Sequence, residues 1–570
     1  MQPRAVSRRE WGWVLVCSLA VLAATCLPYA IIWSATPSGF EWPGLLYNFD
    51  DHAVYFAWMR QAHDGAFFFR NLFTNAPQTG LYSHLYFWLL GLLARLTGLS
   101  LPMVYHLGRL VSGLVALLLV YRLAAFLTDR PAYRRLMWLT VATSAGFGWL
   151  VMGDKVDLHQ PVDTWQPEAF TFLSLYTNGL FTVSMALMLA VVVGLLRAEE
   201  RRQARYAIAA GLAGLALADI HTYDVITLGA VWGAYLVARA VRDRGLPRAA
   251  LGYAALAGGI ALPAIAWMLY FFAREGVFRQ RVQVPTPTPG FHLYLAGYGL
   301  LWILALLGIL WSRKRSGREG SDPAPGAPSF SNAALLLVVW LAVGSAVPYI
   351  PVAFQRKLVQ GLHFPLALWA GLGLGLLLDR RRAPANKPCA GRESARALAA
   401  LCLAVMALTS VRFMARDVIA ATEQNLSSTG VHPVYWPAEE LRVMRWMSNH
   451  LPRDAVIWCL PVSGALIPAV AGRTVYAGHW GETPDFPEKM REAIAAFSGR
   501  TPTTLLRDYL RSRGITHIYT GLLERSPLPG TPGLDLSRLP FLRVVHRDGQ
   551  AAVYEVVATG RDFSILSDTR

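Results

Sequence analysis

The sequence predicts a polytopic α-helical membrane protein with a small α/β domain at its C-terminal end. The 570 residues are 54% hydrophobic and only 16% charged, whereas soluble domains carry roughly 25% charged residues. Apolar runs long enough to cross a bilayer recur up to residue 414, which is typical of a multi-span protein. After about residue 431, helix-period segments alternate with short β-branched or aromatic runs, which indicates an α/β domain.

Eleven apolar segments are predicted to span the membrane. The first is longer than the apolar core of a signal peptide, so it is predicted to be retained. The segments are 11–33, 102–127, 136–152, 175–196, 206–218, 224–238, 249–273, 291–311, 333–349, 363–378 and 397–414. The fifth and sixth are short and are predicted to form a tight hairpin in the outer leaflet.

Basic residues in alternate loops predict the orientation. Arginine and lysine cluster at 4–9, 130–135, 197–205, 239–248, 313–318 and 380–396. Because cytoplasmic loops are enriched in these residues, the N-terminus is predicted to be cytoplasmic and the C-terminal domain extracytoplasmic. The net charge of +17 therefore reflects topology and does not indicate a nucleic-acid partner. A span at 81–98 would break this alternation, so that segment is predicted to be an outer juxtamembrane helix.

The domain organisation follows from these patterns. We predict a transmembrane domain at 1–415, a linker at 416–430 and the α/β domain at 431–570, with core-less cytoplasmic linkers at 316–332 and 383–396. In the last domain, helices are predicted at 438–450, 488–497 and 503–513, and strands at 455–459, 474–476, 517–519, 542–546 and 552–556. The five cysteines have neither metal-ligand nor redox spacing, so no disulfide framework is predicted.

An aspartate pair, Asp50-Asp51, follows the first predicted span among aromatic and apolar residues. Ionisable residues at the edge of a membrane domain are functional candidates. A partly desolvated carboxylate has a raised proton affinity and can accept a proton from a hydroxyl group. The spacing leaves two other interpretations open: a solvated loop, or the N-cap of a helix over 52–63.

Further polar residues lie in segments that the topology places on the same outer face. Acidic residues dominate the early loops and basic residues the later ones: Asp163, Glu168, His221, Arg274, Arg279, Arg281, Arg356 and Lys357. Guanidinium and ammonium groups can hold a phosphate leaving group. An acid together with an anion clamp therefore predicts group transfer from a lipid-linked phosphate.

Structural roles stay open for the same residues. Glu168 and Asp163 could cap the helix that precedes the span 175–196, and His221 could pair with Asp224 in a turn. The arginines at 274–281 could bind anionic headgroups, and Arg356-Lys357 could be interfacial anchors. The sequence has no zinc-spaced His/Cys cluster, no phosphate-binding glycine loop and no Ser-His-Asp signature, so a nucleotide-driven enzyme is not supported.

Short motifs along nearly the whole chain resemble bacterial membrane glycosyltransferases of the GT-C superfamily, which are polyprenyl-phosphate-sugar-dependent and mannosyltransferase-like. Their order and spacing carry more weight than any one motif. The motifs are DHAVYFAWMRQAHDG at 51–65, NLFT at 71–74, YHLGR at 105–109, PEAFTFL at 167–173, IHTYD at 220–224, FQRKLVQGLH at 354–363 and YAGHWGET at 476–483.

The resemblance implies roles for individual residues. Asp51 matches the family's catalytic base through its spacing to Tyr55 and Met59, and Asp50 could share the role. Glu168 matches an acidic acceptor or metal ligand, and Arg356 and Lys357 match a basic pair assigned to the donor phosphate. Lys357 and Gln360 depart from an expected arginine and an expected acid. In the tail, His479 and Glu482 are candidates for covering the site or binding acceptor, or else for holding their own loop.

The implied activity is an inverting transfer of a sugar from a polyprenyl-phosphate donor to a glycan, lipid or protein acceptor. The expected location is the outer face of the bacterial plasma membrane, among membrane lipids. No cofactor is certain, and a divalent cation, Mg²⁺ or Mn²⁺, stays open. The candidates for binding the acceptor or a metal are Glu168, Asp163, His221, His479 and Glu482. The alternative is a non-enzymatic lipid-linked glycan transporter or assembly factor on the same scaffold. A transporter should carry polar residues through the full bilayer depth at repeat-related positions, whereas here they cluster on one side.

Overall fold

Long helices account for most of the chain before residue 425, as the apolar runs predict. The computed structural model describes residues 6–316, 331–381, 388–430, 432–528, 530 and 533–557. Most of the predicted linker 316–332 and part of the linker 383–396 lie outside these residues.

The helices and strands are numbered in chain order. The helices are α1 (Arg8–Ser34), α2 (Phe49–His63), α3 (Leu85–Thr97), α4 (Leu101–Ala125), α5 (Pro131–Thr143), α6 (Thr171–Thr177), α7 (Gly179–Arg201), α8 (Ala204–Ile220), α9 (Thr222–Arg242), α10 (Arg248–Arg274), α11 (Gly276–Gln283), α12 (Phe291–Tyr298), α13 (Leu300–Ser316), α14 (Asn332–Ala346), α15 (His363–Arg381), α16 (Pro388–Gln424), α17 (Ala438–His450), α18 (Pro461–Ala471), α19 (Phe486–Phe497), α20 (Thr503–Ser512) and α21 (Leu522–Arg525). The strands are β1 (Phe40–Glu41), β2 (Trp436–Pro437), β3 (Val456–Trp458), β4 (Thr474–Val475), β5 (His517–Thr520), β6 (Leu542–Asp548) and β7 (Ala551–Val556).

Within the described residues, 8 helices are long and apolar enough to cross a membrane, or up to 9 if α12 and α13, bent by 81°, form one span. The prediction of a polytopic helical membrane protein is confirmed. Two of the eleven predicted segments are not among these helices: α8 has 17 residues, and the segment 136–152 is helical only as far as Thr143. The helix α3, in the segment 81–98, has 13 residues, too few to cross a hydrocarbon core of about 30 Å alone.

The early end of α5 has a local cause. The backbone N–H groups of Gly146 and Gly148 each donate to Oδ2 of Asp163 at 3.0 Å. These amides are therefore held by a side chain and are not used in a helical ladder. Hydropathy reports only that 136–152 is apolar, so it could not reveal this break.

Contacts divide the chain into two units. The first, called the helical unit, comprises Met1–Ile31, Tyr105–Tyr270 and Pro285–Ile419. Its central helix α15 is almost entirely buried and packs on α5 and α13. A β-carbon at Gly371 would overlap the backbone of Met137, and one at Gly373 would overlap the carbonyl oxygen of Leu304. Glycine at these positions lets the helix backbones approach closely.

The second, called the α/β unit, comprises Ile32–Val104, Phe271–Val284 and Ala420–Arg570. This unit is therefore larger than the predicted α/β domain at 431–570, because it also includes two earlier segments of the chain. Its sheet has the order β4-β3-β5-β7-β6, in which β3 pairs in parallel with β4 and β5, and β7 pairs antiparallel with β5 and β6. Trp458, Phe497, Leu510 and Ile518 lie in its core.

The secondary structure predicted for the tail agrees closely with these elements. The helix predicted at 438–450 coincides with α17, and α19 and α20 differ from prediction by at most two residues at an end. All five predicted strands are present. Two further helices, α18 and α21, were not predicted.

Candidate active site

The aspartate pair lies at the start of a helix and not in a loop. α2 begins at Phe49, directly after Asn48, which adopts the left-handed conformation (φ 47°, ψ 55°) that asparagine tolerates. Asp50 and Asp51 therefore occupy the first helical turn, where exposed N–H groups and the helix dipole stabilise negative charge. The alternative of a helix N-terminus was right in outline, although neither aspartate is the N-cap residue.

The helix α2 is anchored within the α/β unit. Arg60 donates from Nη1 to the carbonyl oxygen of Val470 at 3.0 Å and from Nη2 to Oγ of Ser448 at 2.6 Å. Its Nε lies 3.0 Å from Oδ2 of Asp64. Both Val470 and Ser448 belong to the tail segment, so the helix that carries the acid pair is tied to residues about four hundred positions later in the sequence.

His479 lies against both carboxylates. Its Nε2 is 3.3 Å from Oδ1 of Asp51 and 3.8 Å from Oδ2 of Asp50. The backbone N–H of Gly481 donates to Nδ1 at 2.9 Å, which in the neutral ring leaves the proton on Nε2, facing the acids. Burial lowers the pKa of His479, but the hydrogen bond to Asp51 and the charges of Asp50, Asp51 and Glu482 outweigh burial and raise it.

A short loop, 478–483, holds His479 in this position. The hydroxyl of Thr483 accepts from the N–H of Gly478 at 3.1 Å and donates to the carbonyl oxygen of Phe73 at 2.8 Å. A β-carbon on Gly478 would overlap the carbonyl oxygen of Gly464 in α18. Glycine is thus required for the loop to lie directly on that helix.

Arg281 is tied to the same loop. Its Nε lies 2.8 Å from Oε1 of the buried Glu482, and its guanidinium lies 5.3 Å from the ring centroid of Trp58. Asn71 donates from Nδ2 to Oε2 of Glu482 at 3.1 Å. The neighbouring Arg279 is exposed on α11. Among the two predicted arginines of this helix, the structure therefore brings Arg281 to the loop of His479.

Two cavities border this cluster. The first, of about 500 Å³, is lined mainly by apolar side chains, with Asp50, Asn48 and His432 among its polar residues; we call it the apolar cavity. The second, of about 480 Å³, is lined by residues of 277–284 and 480–487, with Arg281, Glu482, Gln280 and Thr483 among its polar side chains; we call it the polar cavity. Trp480 lines both cavities and donates from Nε1 to Oδ2 of Asp50 at 2.8 Å.

Two of these residues were not predicted from the sequence. Trp480 lies inside the motif at 476–483, in which only the ionisable residues His479 and Glu482 were predicted as site residues. His432 stacks on Phe49 with ring centroids 5.0 Å apart. Burial lowers the pKa of His432, and the charge of Asp50 only partly offsets this effect. No motif surrounds His432, so no sequence signal pointed to it.

The remaining predicted residues belong to the helical unit. Glu168 is almost buried, and its Oε1 lies 3.8 Å from Nε of Arg356. Arg356 also lies over the ring of Trp165, at 5.3 Å from its centroid, and Nζ of Lys357 lies 4.9 Å from the ring centroid of Tyr223. The structure thus brings together the acidic residue Glu168 and the basic residue Arg356, both predicted as site residues. Glu168 does not cap α6, because the residue before that helix is Phe170.

Asp163 and His221 have structural contacts in the helical unit. Burial raises the pKa of Asp163 to about 7, against the lowering effect of the Gly148 and Gly146 amides. His221 separates α8 from α9, and its Nδ1 lies 3.0 Å from Oδ2 of Asp224. The hydroxyl group of Ser184 also donates a hydrogen bond to Oδ2 of Asp224. The alternative in which His221 and Asp224 pair at a turn agrees with this geometry.

The candidate metal ligands do not converge on one another. Among the described residues, no group of three or more His, Cys, Asp or Glu side chains could hold a metal ion. Asp163 is engaged by backbone amides, Glu168 by Arg356 and Glu482 by Arg281. In the part of the chain that the structure describes, these candidate ligands are therefore held by protein partners and are not arranged around a cation.

Several solved structures have a fold similar to that of this chain. The chain superposes on ArnT from Cupriavidus metallidurans bound to undecaprenyl phosphate, with a TM-score of 0.53 and 14% identity over 96% of this chain and 98% of that one. The archaeal oligosaccharyltransferase AglB from Archaeoglobus fulgidus, in complex with an inhibitory peptide and a dolichol-phosphate, gives 0.52 and 15% over 91% and 70%. The arabinofuranosyltransferase AftD from Mycobacteria gives 0.55 and 15% over 97% of this chain but 40% of that one.

These structures are lipid-linked glycosyltransferases of the GT-C class, and at such identities the likeness establishes the fold. The expected GT-C-like fold is confirmed. Among curated proteins, none matches the chain by sequence. Residues 1–558 match the family of unknown function DUF6541, and the chain belongs to that family.

Proposed function

We propose that the protein is an inverting glycosyltransferase that moves a sugar from a polyprenyl-phosphate donor to an acceptor. One observation carries the proposal: within a GT-C fold, Asp50 and Asp51 meet His479 beside two ligand-sized cavities. The undecaprenyl phosphate bound to ArnT and the dolichol-phosphate bound to AglB support a lipid phosphate as the donor's carrier.

In the proposed reaction, Asp51 takes the proton of the acceptor hydroxyl. The acceptor oxygen then forms a bond to the anomeric carbon, from the side opposite the phosphate, and the bond between that carbon and the phosphate oxygen breaks. The electron pair of the broken bond leaves with the polyprenyl phosphate. Asp51 is favoured as the base because its side chain is 41% exposed, against 21% for Asp50, and because Trp480 already occupies Oδ2 of Asp50.

The other residues have supporting roles in this proposal. His479 orients the two carboxylates through Nε2. Arg281, which lines the polar cavity, contacts the donor phosphate, because a guanidinium binds phosphate oxygens well. For Arg356, Lys357 and Arg279, the assignment to the donor phosphate stays a prediction, as does an acceptor role for Glu168 or Glu482.

The proposed location is the bacterial inner membrane, with the N-terminus cytoplasmic and residues 431–570 extracytoplasmic. Basic residues in alternate loops support this orientation. Protease added to intact spheroplasts should cleave an epitope-tagged tail but not a tag at the N-terminus. Cleavage of only the N-terminal tag would reverse the orientation.

The activity is tested with purified protein in lipid nanodiscs. Undecaprenyl phosphate carrying radiolabelled mannose, glucose or arabinose serves as donor, and the released undecaprenyl phosphate is measured. We expect release from at least one donor by the wild type and none by Asp51→Asn. Release by the two proteins at equal rates would refute the role of Asp51. Specific binding of donors without any release would favour the transporter or assembly factor.

A further inference from the structure

The apolar cavity borders the core of the sheet domain and is lined by a stripe of apolar side chains on α19. In α19, Ala493, Ala496 and Phe497 belong to the core of the sheet domain. On the same helix, Phe486, Met490 and Ile494 line the apolar cavity. These three residues are four positions apart, so they form one stripe along the helix. α19 therefore has an apolar face toward the core and a second apolar stripe toward the cavity.

We propose that the apolar cavity binds an apolar part of the acceptor, and that the acceptor is therefore amphipathic, with an apolar body and a nucleophilic hydroxyl group presented to the Asp50-Asp51 pair. This inference rests on the proposed glycosyl transfer, because it names the class of acceptor for that reaction.

The size and lining of the cavity favour such a ligand. A volume of about 500 Å³ lies within the range of small-molecule sites, roughly 300–1,000 Å³. Leu460, Val462 and Leu523 line it together with the stripe of α19. A ring or short acyl group gains from burial against these side chains. The hydroxyl groups of a bare glycan would lose water there without finding partners, which is unfavourable.

The charges distinguish an acceptor from a donor in this cavity. Among the described residues that line it, Asp50 alone carries a formal charge, and a carboxylate repels a phosphate. Burial lowers the pKa of His432, so the imidazole does not supply a compensating cation at neutral pH. Arg281, which suits a phosphate, lines the polar cavity instead. Since Trp480 lines both cavities, the two substrates would meet at its indole and at the acid pair.

Photoaffinity labelling of the full-length protein in nanodiscs tests the inference without requiring turnover. The probe is an aryl trifluoromethyl diazirine that carries a hydroxymethyl group, and a diazirine-bearing hexose is the polar comparison. Adducts are located by mass spectrometry of the peptides that contain residues 460–462 and 486–494. We expect the aryl probe to label these peptides at least about tenfold more strongly than the hexose, given the apolar area buried.

Variants make the labelling specific to the cavity. Met490→Trp fills the cavity from a residue that is 38% exposed, and it should reduce labelling of residues 460–462 about tenfold. Leu505→Trp adds a tryptophan at an exposed position of α20 and should leave labelling unchanged. If Met490→Trp fails to fold, Leu523→Trp, at a half-buried lining residue, replaces it. Undiminished labelling in the folded filled variant, or equal labelling by the hexose, overturns the inference.

The two proposals fail in different ways. Asp51→Asn should still be labelled while transfer is lost, because it leaves the apolar lining intact. Labelling without transfer from any donor by the wild type would refute the enzyme and keep the cavity as an apolar binding site. Transfer by the wild type without specific labelling would keep the enzyme and refute the amphipathic acceptor.

Discussion

Asp51 in the α/β unit and Asp163 in the helical unit are both acidic residues in predicted outer segments, yet their surroundings differ completely. Asp51 is 41% exposed and faces the imidazole of His479. Asp163 is fully buried, and its Oδ2 accepts from two backbone N–H groups. A carboxylate open to solvent can exchange protons with a ligand, whereas one enclosed by amides holds the backbone. Burial and partners, and not residue type, separate a candidate base from a structural acid.

The largest expected effect is on catalysis. Asp51→Asn should lower sugar transfer at least about 100-fold, because general-base catalysis contributes roughly 10²–10⁴-fold. Asp163→Asn keeps an acceptor oxygen for the Gly146 and Gly148 amides and should retain activity within about twofold. Release of undecaprenyl phosphate measures both. Equal losses in the two variants would abolish the distinction between the two acids.

Arg281 and Arg279 extend the comparison to two cations of one helix. Arg281→Ala should raise the donor KM about tenfold, since a charge-assisted hydrogen bond contributes roughly 1.5–3 kcal/mol. It should also lower the melting temperature, because Glu482 loses its cationic partner. Arg279→Ala, at an exposed position, should raise the donor KM less than Arg281→Ala does and leave the melting temperature unchanged. Initial rates over a donor titration and thermal unfolding in detergent check the pair, and an effect of equal size at Arg279 would contradict the assignment.

Asp163 should make the stability of the folded protein depend on pH over a defined pH range. Its pKa is about 7 in the folded protein and 3.8 ordinarily, so the unfolded chain releases this proton first as pH rises. The contribution of Asp163 to stability therefore falls between about pH 4 and about pH 7 and is constant above, by at most roughly 4 kcal/mol. Asp163→Asn should remove this decline. Melting temperatures across that range, compared with wild type, provide the measurement.

His479 should have the smallest effect on stability, and this effect should appear in a different pH range. Its raised pKa means that the protonated ring stabilises the folded state below its ordinary pKa of 6.5, and that this stabilisation is lost as pH rises through the folded-state pKa. His479→Gln should not show the decline above pH 6.5, while its decline at lower pH, due to Asp163, should persist. Melting temperatures from pH 6.5 upward test this, and an unchanged profile would argue against a charged His479.

Local sequence patterns predicted most helices and strands of the tail, but they missed α18 and placed a span at 136–152 that the structure does not contain. α17, α19 and the five strands have clear periodicity and turn residues at their ends, and short-range signals suffice for such elements. α18 was missed because Pro461 and Pro468 lie within a run of small apolar residues, which is not typical of a helix. The span predicted at 136–152 was wrong because the partner that ends α5, Asp163, lies beyond that segment.

The site was predictable as a set of residues but not as an arrangement. The motifs at 51–65 and 476–483 contain Asp50, Asp51, His479 and Glu482, and all four lie in one cluster. His432 and Trp480 were not predicted, because the role of a neutral or apolar residue depends on neighbours that the sequence does not specify. Arg356, which the resemblance assigned to the donor phosphate, lies beside Glu168 in the structure, a contact that the sequence could not specify.

Sequence alone determined the membrane-protein class, the α/β tail and the acidic residues worth testing, because hydropathy, periodicity and charge are properties of neighbouring residues. Tertiary structure decided which acids are open to ligand and which are enclosed, and it formed the apolar cavity. Its contacts join residues far apart in the chain: the hydrogen bond from Trp480 to Asp50 closes a separation of 430 positions. No local pattern encodes such a contact, because it depends on how the intervening helices and strands pack.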